Sequence, residues 1–175
     1  VEASSRVEGI ISKYAIMLFA ADVGLHATCF GYSHKYEFKR RICKIGSSGC
    51  TKENVFFALR HFPAPVTTVQ LAGPTTVSTL WGLPGQRNDV THSIKEGSYT
   101  VVNHTEPSHV FHDGTVERKV ISLDGYLQIH SIGIGVNSSM LYLYLNARLA
   151  PAVFAWQDAR LNGYSVYGEF KQENS

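Results

Sequence analysis

At 175 residues the chain suits a single domain and is long enough to bury a substantial core. Its 44% hydrophobic and 17% charged content describes an ordinary globular protein, somewhat poor in charge. A formal net charge of only +2 argues against a large nucleic-acid footprint, which shows as a clustered basic patch.

Residues 6–21 carry apolar groups at Val7, Ile10, Ile11, Tyr14, Leu18 and Ala21, which is helical spacing, and Gly24 ends that helix. The apolar run 10–21 is interrupted by Ser12 and Lys13 and is too short to span a bilayer. The start at Val1 suggests an excised domain. From Cys29 to Ile45 the β-branched and aromatic content rises, and alternation in YSHKYEFKRRIC reads as an edge or half-exposed strand. Lys39-Arg40-Arg41, with Lys35 and Lys44, fits a solvated strand edge better than a binding stripe.

Cys43 and Cys50 bracket a short Gly/Ser loop. One reading is a disulfide, which places folding or action in an oxidising compartment; the other is two free thiols in a reducing cytosol. A zinc site would need two more ligands, and no CxxC pair exists. Cys29 lies near His26 and His34 in the sequence, but a small buried cysteine is commoner than a thiol nucleophile. Thr51 can cap a second helix, TKENVFFALRHF, with Val55, Phe56 and Leu59 toward the core and Pro63 and Pro65 as its stop. Residues 66–97, rich in Thr, Gly and Pro, read as a long loop with one or two short strands.

SYTVVN (98–103) reads as a strand. TVERKVISL and YLQIHSIGI flank Asp124-Gly125, a two-residue hairpin signal. Pairing Leu123 with Tyr126 puts Val116, Arg118 and Val120 on one face with Leu127, Ile129 and Ser131. That apolar face meets the core, and Arg118 then needs an anionic partner from the protein or a substrate. Lys119 falls opposite His130. GIGVN (133–137) lacks a βαβ context for phosphate binding and reads as a bend or bulge. Residues 141–161 are helical, broken or kinked at Pro151.

The expected fold class is therefore α+β. N-terminal helices and a strand occupy 1–65, a long loop region 66–97, and a mostly antiparallel sheet plus a C-terminal helical segment 98–175.

Residues 103–118 (NHTEPSHVFHDGTVER) concentrate His104, His109, His112, Asp113, Glu117 and Arg118. Two imidazoles and a cation are what acid–base cleavage of a phosphodiester requires: one ring takes a proton, one donates, and the cation stabilises the phosphate. The alternative is that the histidines satisfy turn carbonyls at a sheet end. Metal chelation by His109 and His112 with Asp113 or His104 is awkward, because HxxH on a strand points its rings apart. GxSxG, P-loop, HExxH and deaminase signatures are all missing.

At SHVFHDGTVER and CKIGSSGCTKENVFFALRHFPAP the sequence resembles C-terminal toxin domains of bacterial polymorphic toxins, the variable domains of rearrangement-hot-spot (Rhs) and related secreted proteins. Cys43, Cys50, the helix to Pro63, His109 to Arg118, Gly133-x-Gly135 and Asn146 to Phe154 carry the likeness. It departs at Ser108, where glycine is expected. The resemblance implies secretion and delivery into a target cell, a larger carrier protein and a cognate immunity protein, but no particular chemistry.

The leading expectation is thus a toxin domain acting as a metal-independent, cofactor-free histidine hydrolase on RNA. His109 and His112 serve as base and acid, Arg118 as phosphate clamp, and Lys119 or His130 in support. The alternatives are a toxin acting in the periplasm or on a membrane, and a non-catalytic binding module.

Overall fold

The computed structural model of the chain describes residues 26–30, 33–64, 72–73, 76–80, 88–109 and 111–136, with 151, 153–154, 156–158 and 161 near the C-terminus. The expected helix over 6–21 lies outside these residues.

Among the described residues seven antiparallel strands make one sheet: β1 (His26–Phe30), β2 (Ser33–Lys44), β3 (Thr76–Leu80), β4 (Asn88–Lys95), β5 (Thr100–Thr105), β6 (Gly114–Leu123) and β7 (Tyr126–Val136). Their spatial order is β1-β2-β7-β6-β5-β4-β3. A ten-residue helix, α1 (Lys52–His61), lies against β5 and β6. Backbone at Pro151, Val153, Phe154, Trp156, Gln157, Asp158 and Leu161 is also helical.

The expected α+β arrangement, helices first and a sheet confined to about 98–134, is corrected by this architecture. Among the described residues the sheet dominates, already includes His26–Phe30, and takes two strands, β3 and the eight-residue β4, from the stretch read as a long loop with one or two short strands. In β4 the inward positions are Asn88, Val90 and His92, so two polar residues hide the period-two apolar signal. The strand read as an edge or half-exposed strand, β2, is no edge: its twelve residues pair with β1 on one side and with the eleven-residue β7 on the other.

Local chemistry sets α1. The Thr51 side chain accepts from the Asn54 amide at 3.2 Å, Glu53 sits in the positive first turn, and Arg60 and His61 sit in the last. Val55, Ala58 and Leu59 pack with Val101, Val120, Leu127 and Ile129 from the sheet. Burial of each such large aliphatic contributes about 1.5–3 kcal/mol.

A bulge between Arg41 and Cys43 shifts the register of β2 against β7. Tyr36, Phe38 and Ile42 already point inward, and the extra residue turns Cys43 inward as well, paired with Leu127. Cys43 there forms a disulfide with Cys50, Cα to Cα 5.9 Å, which ties the end of β2 to the start of α1.

The β6–β7 turn has Asp124 and Gly125 at positive φ and pairs Leu123 with Tyr126. Gly133 and Gly135, read as a bend or bulge, instead sit in regular β7 pairing. Their missing side chains make room for two rings of β2: a Cβ on Gly133 would enter the Tyr36 ring, and one on Gly135 would lie 2.9 Å from His34 Cε1.

Candidate functional site

The residues expected to act together fall in three separate places. His109 and His112 lie in the β5–β6 loop, where they build the turn. The Phe111 amide donates to His109 Nδ1 at 3.0 Å, the His112 amide donates to the His109 carbonyl at 3.0 Å, and His112 Nδ1 donates to the Thr105 carbonyl at 2.7 Å. Burial, with the neighbouring His112 in support, pushes His109 down to about 4, so its ring is neutral at pH 7. His104 is exposed and meets Thr115 Oγ1 at 3.2 Å.

Lys119 and His130 are cross-strand partners on the opposite face of the sheet from α1. Lys119 is exposed, and His130 Nε2 binds Glu37 Oε1 at 2.7 Å, a bond that holds the Glu37 carboxyl below its usual range. Arg118 faces the other way, fully buried beneath α1. It lies four residues into β6 from Gly114, roughly 13 Å of strand from the histidine loop. The acid, base and phosphate clamp of a hydrolase are therefore not assembled. Among the described residues no group of three or more His, Cys, Asp or Glu converges as a metal site. Cys29 is the cross-strand partner of His34 in the β1–β2 ladder, and the side chains of β1 lie outside the described residues.

What the fold does bring together is a buried polar network around Arg118. Its anionic partner is Asp158 of the C-terminal helical residues, joined to Nη2, with both side chains at 0% exposure. Arg118 Nη1 donates to the carbonyls of Phe62 and Pro63 at 2.9 and 3.1 Å. Gln157 Nε2 donates to the same Phe62 carbonyl at 2.8 Å, and Asn103 Nδ2 to Pro63 at 2.8 Å. Asn103 Oδ1 then faces His92 Nδ1 at 2.7 Å, which assigns the proton to that nitrogen. The carbonyls left open where α1 ends thus receive three sheet and helix side chains, with a cation at the negative end of the helix dipole.

Burial governs the titration of this network. It pushes the Asp158 carboxyl up to about 6, against the opposing pull of Arg118 and Arg40. It lowers His92 as well, with Arg118 adding to the effect and the Asn103 bond opposing it. The Tyr36 hydroxyl is raised, again by burial.

Beside the network stands an aromatic cluster of Tyr36, Phe38 and Phe154, with Val116 packed against it. His34, Tyr36 and Phe38 stack in succession along β2, at 6.1 and 6.4 Å between ring centres. The Arg118 guanidinium lies 5.0 Å from the Phe154 ring centre.

Sequence reading missed Asp158, Gln157, His92, Asn103 and Tyr36. The signal available was a Gln-Asp pair inside the apolar run 151–161, with Phe154, Asp158 and Leu161 at i, i+4 and i+7.

Comparison with solved structures places this geometry. The chain is similar to Ara h 8.0201, at 16% identity and a TM-score of 0.50, over 77% of this chain and 99% of that one. It is also similar to the ZhuI aromatase/cyclase of a Streptomyces species, at 12% identity and a TM-score of 0.51, over 75% and 93%. A third is truncated norcoclaurine synthase of Thalictrum flavum, at 10% identity and a TM-score of 0.50, over 86% and 99%. The fold is Bet v1-like. No protein-family model and no curated sequence matches the chain.

The resemblance to polymorphic-toxin domains is overturned by these neighbours, as is the histidine-dependent RNase reading drawn from the clustered histidines and Arg118. Among the described residues, the segments that carried the likeness are a turn, a capped helix and strand ends, local features that recur across unrelated folds. Most of Asn146 to Phe154 lies outside the described residues. The fold itself admits enzymes, since two of the three neighbours are named for a reaction, while Ara h 8.0201 is not. No helix among the described residues is long and apolar enough to cross a membrane.

Proposed function

We propose that this chain is a non-catalytic binding module that takes an apolar ligand against the helix-covered face of its sheet. One observation carries the reading: that face is divided into two clusters. The larger one is filled by α1, whereas the aromatic one, Tyr36, Phe38, Val116 and Phe154, contains no α1 residue among those described. Aromatic walls with a few fixed polar groups are the usual lining of a small-molecule site. The dispersal of His109, His112, Lys119 and His130 supports binding rather than acid–base turnover.

Titration with the neutral dye 1-aminoanthracene tests this. Saturable enhancement of its emission, together with a rise in Tm as dye is added, is the expected result. Dye uptake that never saturates and leaves Tm unmoved would sink the reading.

A further inference from the structure

Four side-chain atoms around Arg118 are buried and have no hydrogen-bond partner among the described residues: Arg118 Nε, Ser131 Oγ, Gln157 Oε1 and Asp158 Oδ2. Their residues are exposed by 0, 0, 2 and 0%. All four belong to one neighbourhood. Ser131 is the cross-strand partner of Arg118, Asp158 is its ion-pair partner, and Gln157 shares the Phe62 carbonyl with it. Buried polar atoms left unbonded are costly and rare in native proteins, so several around one residue mark a place where something else bonds.

The chemistry of the four atoms describes what that is. Arg118 Nε–H is a donor, Asp158 Oδ2 and Gln157 Oε1 are acceptors, and the Ser131 hydroxyl can be either. The guanidinium and the carboxylate cancel in charge. An anion would gain little, since both Arg118 terminal nitrogens are already engaged and Asp158 repels it. A cation would meet the Arg118 charge. The aromatic cluster adjoins directly, through Phe154 beneath the guanidinium and Phe38 opposite Ser131 in the β2–β7 ladder.

We infer that the Arg118–Ser131–Gln157–Asp158 cluster is the polar end of the binding site and selects a neutral ligand carrying a carbonyl beside an N–H or O–H on an aromatic body. The carbonyl accepts from Arg118 Nε or Ser131, and the adjacent donor reaches Asp158 Oδ2 or Gln157 Oε1. This rests on the binding reading proposed above.

The test compares three probes of one shape on the intact protein at pH 7.5, by fluorescence titration: naphthalene-2-carboxamide, naphthalene-2-carboxylate and 2-isopropylnaphthalene. The carboxamide should bind about tenfold tighter than either of the others, the worth of one or two net hydrogen bonds. Ser131→Ala should weaken the carboxamide by a few fold and leave 2-isopropylnaphthalene unchanged. Tighter or equal binding of the carboxylate would overturn the inference in favour of an anion site. Equal binding of all three would overturn it while leaving an apolar site intact. Failure of every probe to bind would remove the binding reading and this inference with it.

Discussion

Gly133→Ala probes the packing that shapes the aromatic cluster. A Cβ at this position would sit against the Tyr36 ring, nearest to Cζ, and even Cε2, the third-nearest atom, would be only 2.5 Å away. The ring cannot swing aside freely: it is 1% exposed and stacked between His34 and Phe38, with interplanar angles of 10° and 23°. Overpacking of a buried site costs about 1–3 kcal/mol, and a clash with a ring held on two sides belongs at the upper end. For a chain of this length, about 3 kcal/mol corresponds to a fall in Tm of roughly 6–12 °C. Thermal unfolding followed by circular dichroism reads it directly. A double-mutant cycle with Tyr36→Leu separates the ring from a generic strand effect. With the ring removed, Gly133→Ala should cost far less than in the native background. A loss under about 0.5 kcal/mol in the native chain, or the same loss in both backgrounds, would refute the argument that Tyr36 is why position 133 is glycine.

Asp158→Leu removes every acceptor that residue 158 offers Arg118 Nη2, leaves the Arg118 charge buried without its partner, and should cost about 3–5 kcal/mol at pH 7 in a denaturant melt. Because burial raises Asp158 from 3.8 to about 6, its folded form favours the proton. Its contribution is complete below about pH 3.8 and is lost as the pH rises through 6, so an Asp158→Asn variant, which does not titrate there, should lack that loss. His109 works in the opposite direction. Lowered from 6.5 to about 4, it contributes fully above pH 6.5 and loses that contribution as the pH falls, so His109→Gln should lose less stability than the native chain between pH 6.5 and 4. The disulfide spans a sequence separation of 7, and replacing Cys43 and Cys50 by serine should cost about 2–3 kcal/mol by the loop-closure argument, measured against the native chain in urea. Thr51→Ala removes the cap of α1 and should cost about 1 kcal/mol in the same assay.

Features of short range were legible in the chain itself. Asp124-Gly125 between two alternating runs set the β6–β7 register, including Arg118 opposite Ser131 and Lys119 opposite His130, because a two-residue turn leaves only one pairing. Thr51 and Pro63 bounded α1 for equally local reasons. From that register alone Arg118 was placed on the core face and required an anion.

Its partner was not legible. Asp158 is 40 residues away in sequence, and Asn103 and Gln157 meet Arg118 only through the carbonyls of Phe62 and Pro63. Clustering in sequence pointed to His109 and His112 beside Arg118, yet an extended strand carries each residue about 3.3 Å further and turns successive side chains to opposite faces. A run of polar residues is therefore dispersed, not gathered, when it enters a sheet. In β4 and β7 the polar His92 and the small Gly133 occupy inward positions for reasons supplied by Asn103 and Tyr36, which lie on neighbouring strands. Turns, caps and strand register follow from chain geometry over a few residues, so the sequence by itself determined them. The site depended on which distant side chains the sheet order placed face to face, and only the tertiary structure decided that.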